Sequence, residues 1–214
     1  MKFTLTTLFS LITIISFCQV SEIDSTILHV ETEQINDMKY VALYNSNDTF
    51  IILDSLENEI FRSKEFCRFF EFIDFNQDGN KDIIFNYVGN NPTQDLLLFC
   101  PETENFIPVE NFSSFPMSKR IAGAEYYYSY HRSGCADLNW DSDIFHIKDF
   151  KAVAIGNISG MGCENEENGI FIHRLFNNTK TIIDTFSIDT INSYSDYKWG
   201  FIDEYWRNNY KKFK

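Results

Sequence analysis

The chain is a succession of short apolar or alternating runs. "KYVALY", "TFIILDS", "CRFFEFID", "KDIIFNYV" and "DLLLFC" come first; "AEYYYSY", "DIFHIKD", "KAVAIGNI", "GIFIHRLF" and "KTIIDTF" follow. Each is rich in Ile, Val, Phe, Tyr or Thr and is bounded by Asn, Asp, Gly or Ser, the pattern of strands joined by turns. Runs this short cannot lay down the long apolar stripe that a buried helix needs. The tail "KWGFIDEYWRNNYKKF" is the exception, because Ile202, Trp206, Tyr210 and Phe213 are spaced like one helix face. The expected fold class is all-β and mainly antiparallel, with a short C-terminal helix.

One internal echo bears on architecture. "FIILDSLENEI" (50–60) and "LLLFCPETENF" (96–106) share a layout of four apolar residues, a polar turn and a new apolar start. Each closes a group of strands, and four short strands every ~40–50 residues is the arrangement of a propeller blade. A small β-propeller-like domain is expected, with a β-sandwich as the alternative.

The first eighteen residues, "MKFTLTTLFSLITIISFC", have one early lysine, an uncharged apolar and hydroxyl-rich stretch, and small residues at Ser16 and Cys18. That is the layout of a secretory signal, cleaved before Gln19 and too short to span a membrane. A lipid anchor on Cys18 is the competing reading, disfavoured by the bulky Phe17 before it. Residues 19–214 then form a single calcium-binding β domain, exported to the periplasm, cell surface or medium. With 31 acidic against 18 basic residues the net charge is −13, which repels nucleic acid and anionic lipid and attracts cationic proteins or divalent metals. In an oxidising compartment the four remaining cysteines favour disulfides. Cys135 and Cys163 both sit in glycine-bearing loops and are expected to pair; Cys67 and Cys100 lie in strand-like runs, and their pairing stays open.

The stretch "DFNQDGNKD" carries oxygen donors on alternate positions. Counting Asp74 as position 1, Asp74, Asn76 and Asp78 stand at 1, 3 and 5, the Asn80 carbonyl at 7 and Asp82 at 9, with Gly79 at the sharp turn of position 6. Carboxylate and amide oxygens are hard ligands suited to Ca²⁺, and no His or Cys is present to select zinc or copper. An EF-hand would carry Glu at position 12, where this chain has Phe85, and both flanks read as strands. A structural calcium loop between strands is expected, of the modest affinity found in extracellular modules.

This loop, followed by "IIFNY", "DLLLF" and "ENF", resembles the calcium-dependent periplasmic lysozyme-inhibitor and immunity-protein family. It is also similar to the wider set of calcium-loop proteins with FG-GAP or integrin-like repeats. The likeness covers roughly residues 67–150. It implies a small β-propeller and protection against secreted peptidoglycan-degrading enzymes.

Reactive residue types concentrate in "YYYSYHRSGCADLNWDSD". A Cys–His nucleophile from Cys135 and His131, or a carboxylate pair such as Asp141 with Asp143 or Glu164 with Glu166, would suit a secreted cell-wall hydrolase. A disulfide at Cys135 removes the first, and the acidic loop "CENEENG" reads as a solvated surface. The expectation is a non-enzymatic, calcium-stabilised exported binding protein that inhibits a basic lysozyme-like enzyme. Its contacts are expected at Tyr128, His131, Arg132, Trp140 and Asp141 and at the acidic loop 164–167. A cell-surface scaffold is the third possibility.

Overall fold

A computed structural model describes residues 26–163, 168–177 and 179–214. The leader read over residues 1–18, with Cys18, and the acidic loop 164–167 lie outside the described residues. Four strands, β1 (Ile27–Ile35), β2 (Met38–Asn45), β3 (Thr49–Leu53) and β4 (Glu59–Ser63), form an antiparallel meander. A second meander follows from β5 (Phe70–Ile73), β6 (Asp82–Tyr87), β7 (Thr93–Cys100) and β8 (Asn105–Pro108). The third sheet has seven strands. It contains β9 (Lys119–Arg120), β10 (Tyr127–Tyr128), β11 (His131–Arg132), β12 (Trp140–Lys148), β13 (Lys151–Met161), β14 (Gly169–Phe176) and β15 (Thr179–Phe186). Helix α1 (Tyr197–Asn209) and a helical turn at Tyr210–Phe213 close the described chain.

The fold is all-β and antiparallel, with the short C-terminal helix in its expected place. The echo between residues 50–60 and 96–106 is the hairpin from third to fourth strand of each meander, β3–β4 and β7–β8. The two four-stranded sheets are thus blade-like copies. The third sheet departs from that unit, being wider and covered by α1.

Burial explains why some runs alternate and others are continuously apolar. The second sheet is a middle layer. On one face Ile83, Phe85, Leu97 and Phe99 pack with Tyr40, Phe50 and Ile52 of the first sheet. On the other, Ile84, Leu96 and Leu98 pack with Tyr127, Phe145 and Ala152 of the third. Successive side chains of a strand point to opposite faces, so "LLLF" is apolar throughout because both faces are dry. Phenylalanine rings fill the first interface: Phe66 stacks on Phe85 at 4.4 Å, and Phe50 meets Phe85 edge-on at 4.8 Å.

The third core lies between β12–β14 and the helix. Ile144, Ile158, Ile170 and Ile172 meet Phe201, Ile202, Tyr205 and Trp206, and Phe213 closes one end. The Trp206 indole N–H donates to Ser142 Oγ at 2.8 Å, and Ser142 donates to the Ser129 carbonyl at 2.6 Å. This chain satisfies the Trp206 indole N–H and the Ser142 hydroxyl. The β1–β2 connection is a two-residue turn, with Asn36 at φ 49 and Asp37 at φ 65, the left-handed pair that matches strand twist.

Candidate functional site

The loop "DFNQDGNKD" connects β5 to β6 and is folded by its own side chains. Asp74 Oδ1 accepts the Asp78 N–H at 3.1 Å and Oδ2 the Gly79 N–H at 3.2 Å. Asn76 Oδ1 also accepts from Asp78 N–H, at 3.0 Å, and Asp78 Oδ1 accepts from Asn80 N–H at 2.7 Å. Gly79 sits at φ 94, where a side chain would be strained, and this lets the chain wrap back. Such side-chain-to-backbone bonds bring the loop oxygens inward.

Asp82 behaves differently. It is fully buried, and its two oxygens accept N–H bonds from Phe75 at 3.0 Å, Asn76 at 3.4 Å and Phe99 at 3.0 Å. Burial pushes its carboxyl up to about 7 against the pull of those donors. Asp82 therefore ties the loop to β7, while Asp74, Asn76 and Asp78 shape its exposed turn. Among the described residues no group of three or more His, Cys, Asp or Glu is placed to hold a metal ion. Contacts from Tyr127 and Arg120 dock the loop on the third sheet. Phe75 stacks on Tyr127 at 4.9 Å, and Arg120 donates to the Asn76 carbonyl.

The segment from Tyr127 to Asp143 was expected to carry partner contacts, and the structure divides it. Trp140 is a correction: it is 1% exposed, lies across Gly160 of β13 and packs with α1, so it offers no contact surface. Tyr128 is mostly buried as well, and only its hydroxyl works at a surface, donating to Asp203 at 2.9 Å. His131 and Arg132 are partly exposed. His131 Nε2 lies 3.3 Å from Asp143 Oδ2, and this bond raises the imidazole pKa despite burial. Asp141 sits behind them. Burial pushes its carboxyl up, but hydrogen bonds from Ser133, Ser159 and Asn157 outweigh it and hold the pKa below the usual value.

Between these residues the chain is pinned. Cys135 and Cys163 form the expected disulfide, their Cα atoms 6.1 Å apart, while Cys67 and Cys100 are free thiols. Asp137 accepts from the Tyr130 hydroxyl, and its Oδ2 lies 2.7 Å from Lys198 Nζ. Lys198 also donates to the Asp137 carbonyl at 3.0 Å, and its ammonium is 5.2 Å from the Tyr130 ring and 5.6 Å from the Trp199 ring. Those two rings lie 3.8 Å apart.

Two adjoining clefts meet at this aromatic pair, sharing Met117, Tyr130 and Trp199. One, of about 1060 Å³, lies between the β9–β10 hairpin and α1 and includes Tyr128, Arg120, Asp203 and Arg207. The other, of about 710 Å³, runs past Asn91, Ser113, His131 and Arg132. Sequence reasoning missed Lys198, Trp199 and Asp203, having assigned the tail only a buried face. A tryptophan three residues before Ile202, on that same face and beside a lysine, was the available signal.

No family model matches the chain, and no curated protein matches it. It is similar to one solved structure, described as a Xanthomonas type IV secretion system related protein, at 15% identity over 72% of this chain and 93% of that one, with a TM-score of 0.45. A likeness that low supports no statement about function.

Proposed function

We propose that the chain is an exported, calcium-stabilised binding protein without chemistry of its own. Its partner is a cationic protein of the peptidoglycan-degrading, lysozyme-like class, met at the surface around His131 and Arg132. The observation that carries this reading is the fixed presentation of that surface. The stretch is paired to β12 at His131 and Arg132, stapled by Cys135–Cys163 and held at Asp137 by buried Lys198. Side chains displayed from a rigid segment lose less entropy on binding. A net charge of −13 steers the protein toward a basic target. The disulfide consumes the Cys135 thiol and with it the Cys–His nucleophile. Export is supported by the leader sequence and the disulfide; no helix among the described residues is long and apolar enough to cross a membrane.

Calcium would be held by Asp74, Asn76 and Asp78 side chains, the Asn80 carbonyl and the lone pairs that Asp82 keeps beyond its three N–H bonds. Bound there, the ion would draw the loop carboxylates together and clasp β5 to β6. Purified mature protein mixed with a panel of lysozymes, with calcium and with chelator, tests both parts. A complex weakened by added salt, with its affinity altered in the pair His131→Ala and Arg132→Ala, is expected. No complex and no inhibition under either condition removes the partner reading. A melting midpoint indifferent to chelator and to Asp78→Ala removes the calcium. The His131–Asp143 pair beside a cleft favours a cell-wall hydrolase as the second reading, tested by peptidoglycan turnover that His131→Ala abolishes without unfolding.

A further inference from the structure

We propose that the cleft between the β9–β10 hairpin and α1 is a binding site for an uncharged oligosaccharide, adjoining the His131–Arg132 surface at Tyr130 and Trp199. Charge balance narrows the ligand first. The walls carry Lys119, Arg120 and Arg207 against Asp196, Asp203 and Glu204, so the cleft is locally neutral in a chain of net charge −13. Much of that charge is already engaged. Arg207 pairs with Asp203, and Arg120 donates from Nε to the Ala124 carbonyl and from Nη1 to the Asn76 carbonyl. A phosphate or nucleic acid would call for surplus positive charge, and a lipid chain would find this many ionic groups costly to desolvate. Paired charges still present hydrogen-bond donors and acceptors to a neutral polar ligand.

The second requirement is met at the floor. Trp199, partly exposed and packed against the buried Tyr130 ring, gives an aromatic saddle backed by the Lys198 ammonium, which is itself locked to Asp137. A pyranose ring has an apolar C–H face and a hydroxyl edge, and so matches an aromatic floor with polar walls. The volume, about 1060 Å³, is at the upper end for a small-molecule site and admits more than one ring. The floor is preformed, which limits the ordering cost of binding.

The test uses the intact mature protein and calorimetric titration with chitotetraose and cellotetraose as neutral probes. A charged galacturonate tetramer and an alanine tetrapeptide are the competitors. Tryptophan fluorescence gives a second readout: Trp140 and Trp206 are 1% and 0% exposed, so a ligand-induced change that is lost in Trp199→Phe reports on Trp199. Saturable binding of a neutral tetrasaccharide is expected. Trp199→Ala should weaken it about tenfold, and Trp199→Phe should weaken it much less. Leu56→Ala, at an exposed residue between β3 and β4, should leave it unchanged, and melting curves establish that each variant folds. No saturable binding by the folded parent overturns the proposal. Equal or tighter binding of the galacturonate or the peptide does so too, as does full affinity in Trp199→Ala.

Discussion

Lys198→Met probes the pair that organises the region between the disulfide and the helix. The Lys198 side chain is 8% exposed, and its Nζ lies 2.7 Å from Asp137 Oδ2 and 3.0 Å from the Asp137 carbonyl. Methionine keeps the apolar stem and removes the charge. Breaking a fully buried ion pair from one side costs about 3–5 kcal/mol. Asp137 is 28% exposed, keeps its bond from Tyr130 and has Arg132 Nε at 3.7 Å, so the loss is expected near 2 kcal/mol. Asp137→Asn strands the less exposed ammonium and should cost at least as much. The double variant should recover about 1 kcal/mol or more relative to the sum. Urea unfolding of all four proteins with unchanged slopes measures this. The pH dependence gives a second signature. Burial pushes the Asp137 carboxyl up, but hydrogen bonds from Lys198 and Tyr130 and the charges of Lys198 and Arg132 outweigh it, leaving its folded pKa below 3.8. Its stabilisation is therefore present above 3.8 and lost as pH falls through the lower folded value. Lys198→Met should weaken that acid dependence. A loss under about 0.5 kcal/mol, or an additive cycle, would refute the reasoning.

Three further outcomes follow from the same geometry. In Gly160→Ala the new Cβ would meet Trp140 Cε2 at 2.1 Å in a closed core, so a loss of about 3 kcal/mol is expected by thermal unfolding. Replacing Cys135 and Cys163 together by Ser opens a loop of sequence separation 28, worth roughly 3–4 kcal/mol on chain-entropy grounds; denaturant unfolding with the parent kept oxidised measures it. The His131 pKa is raised by its Asp143 bond, so its contribution to stability is complete below 6.5 and disappears as pH rises through the higher folded value. NMR titration should show the His131 pKa falling in Asp143→Asn, and an unchanged value would contradict the pairing.

What was legible in the sequence was local or periodic. Strand-like runs, the polar turns between them and the repeated hairpin at 50–60 and 96–106 depend on near neighbours and on how many faces are dry. The helix face through Ile202, Trp206 and Phe213 was legible for the same reason, as all three are buried in the core. The spacing of "DFNQDGNKD" marked a tight, oxygen-rich loop, but the inward turn of Asp82 depends on the Phe99 N–H of another strand.

The tertiary structure alone decided which reactive-looking residues reach a surface. Within one segment Trp140 went into the core and His131 stayed at the rim, because the width of the third sheet and the position of α1 determine which face is covered. Lys198 and Asp137 stand 61 residues apart, and no spacing rule joins them. Sequence determined the strands, the turns and the composition, since these follow from local sterics and from the total apolar surface to be buried. The clefts, the aromatic saddle and the buried ion pair arise only where the third sheet, its stapled loop and the terminal helix pack together.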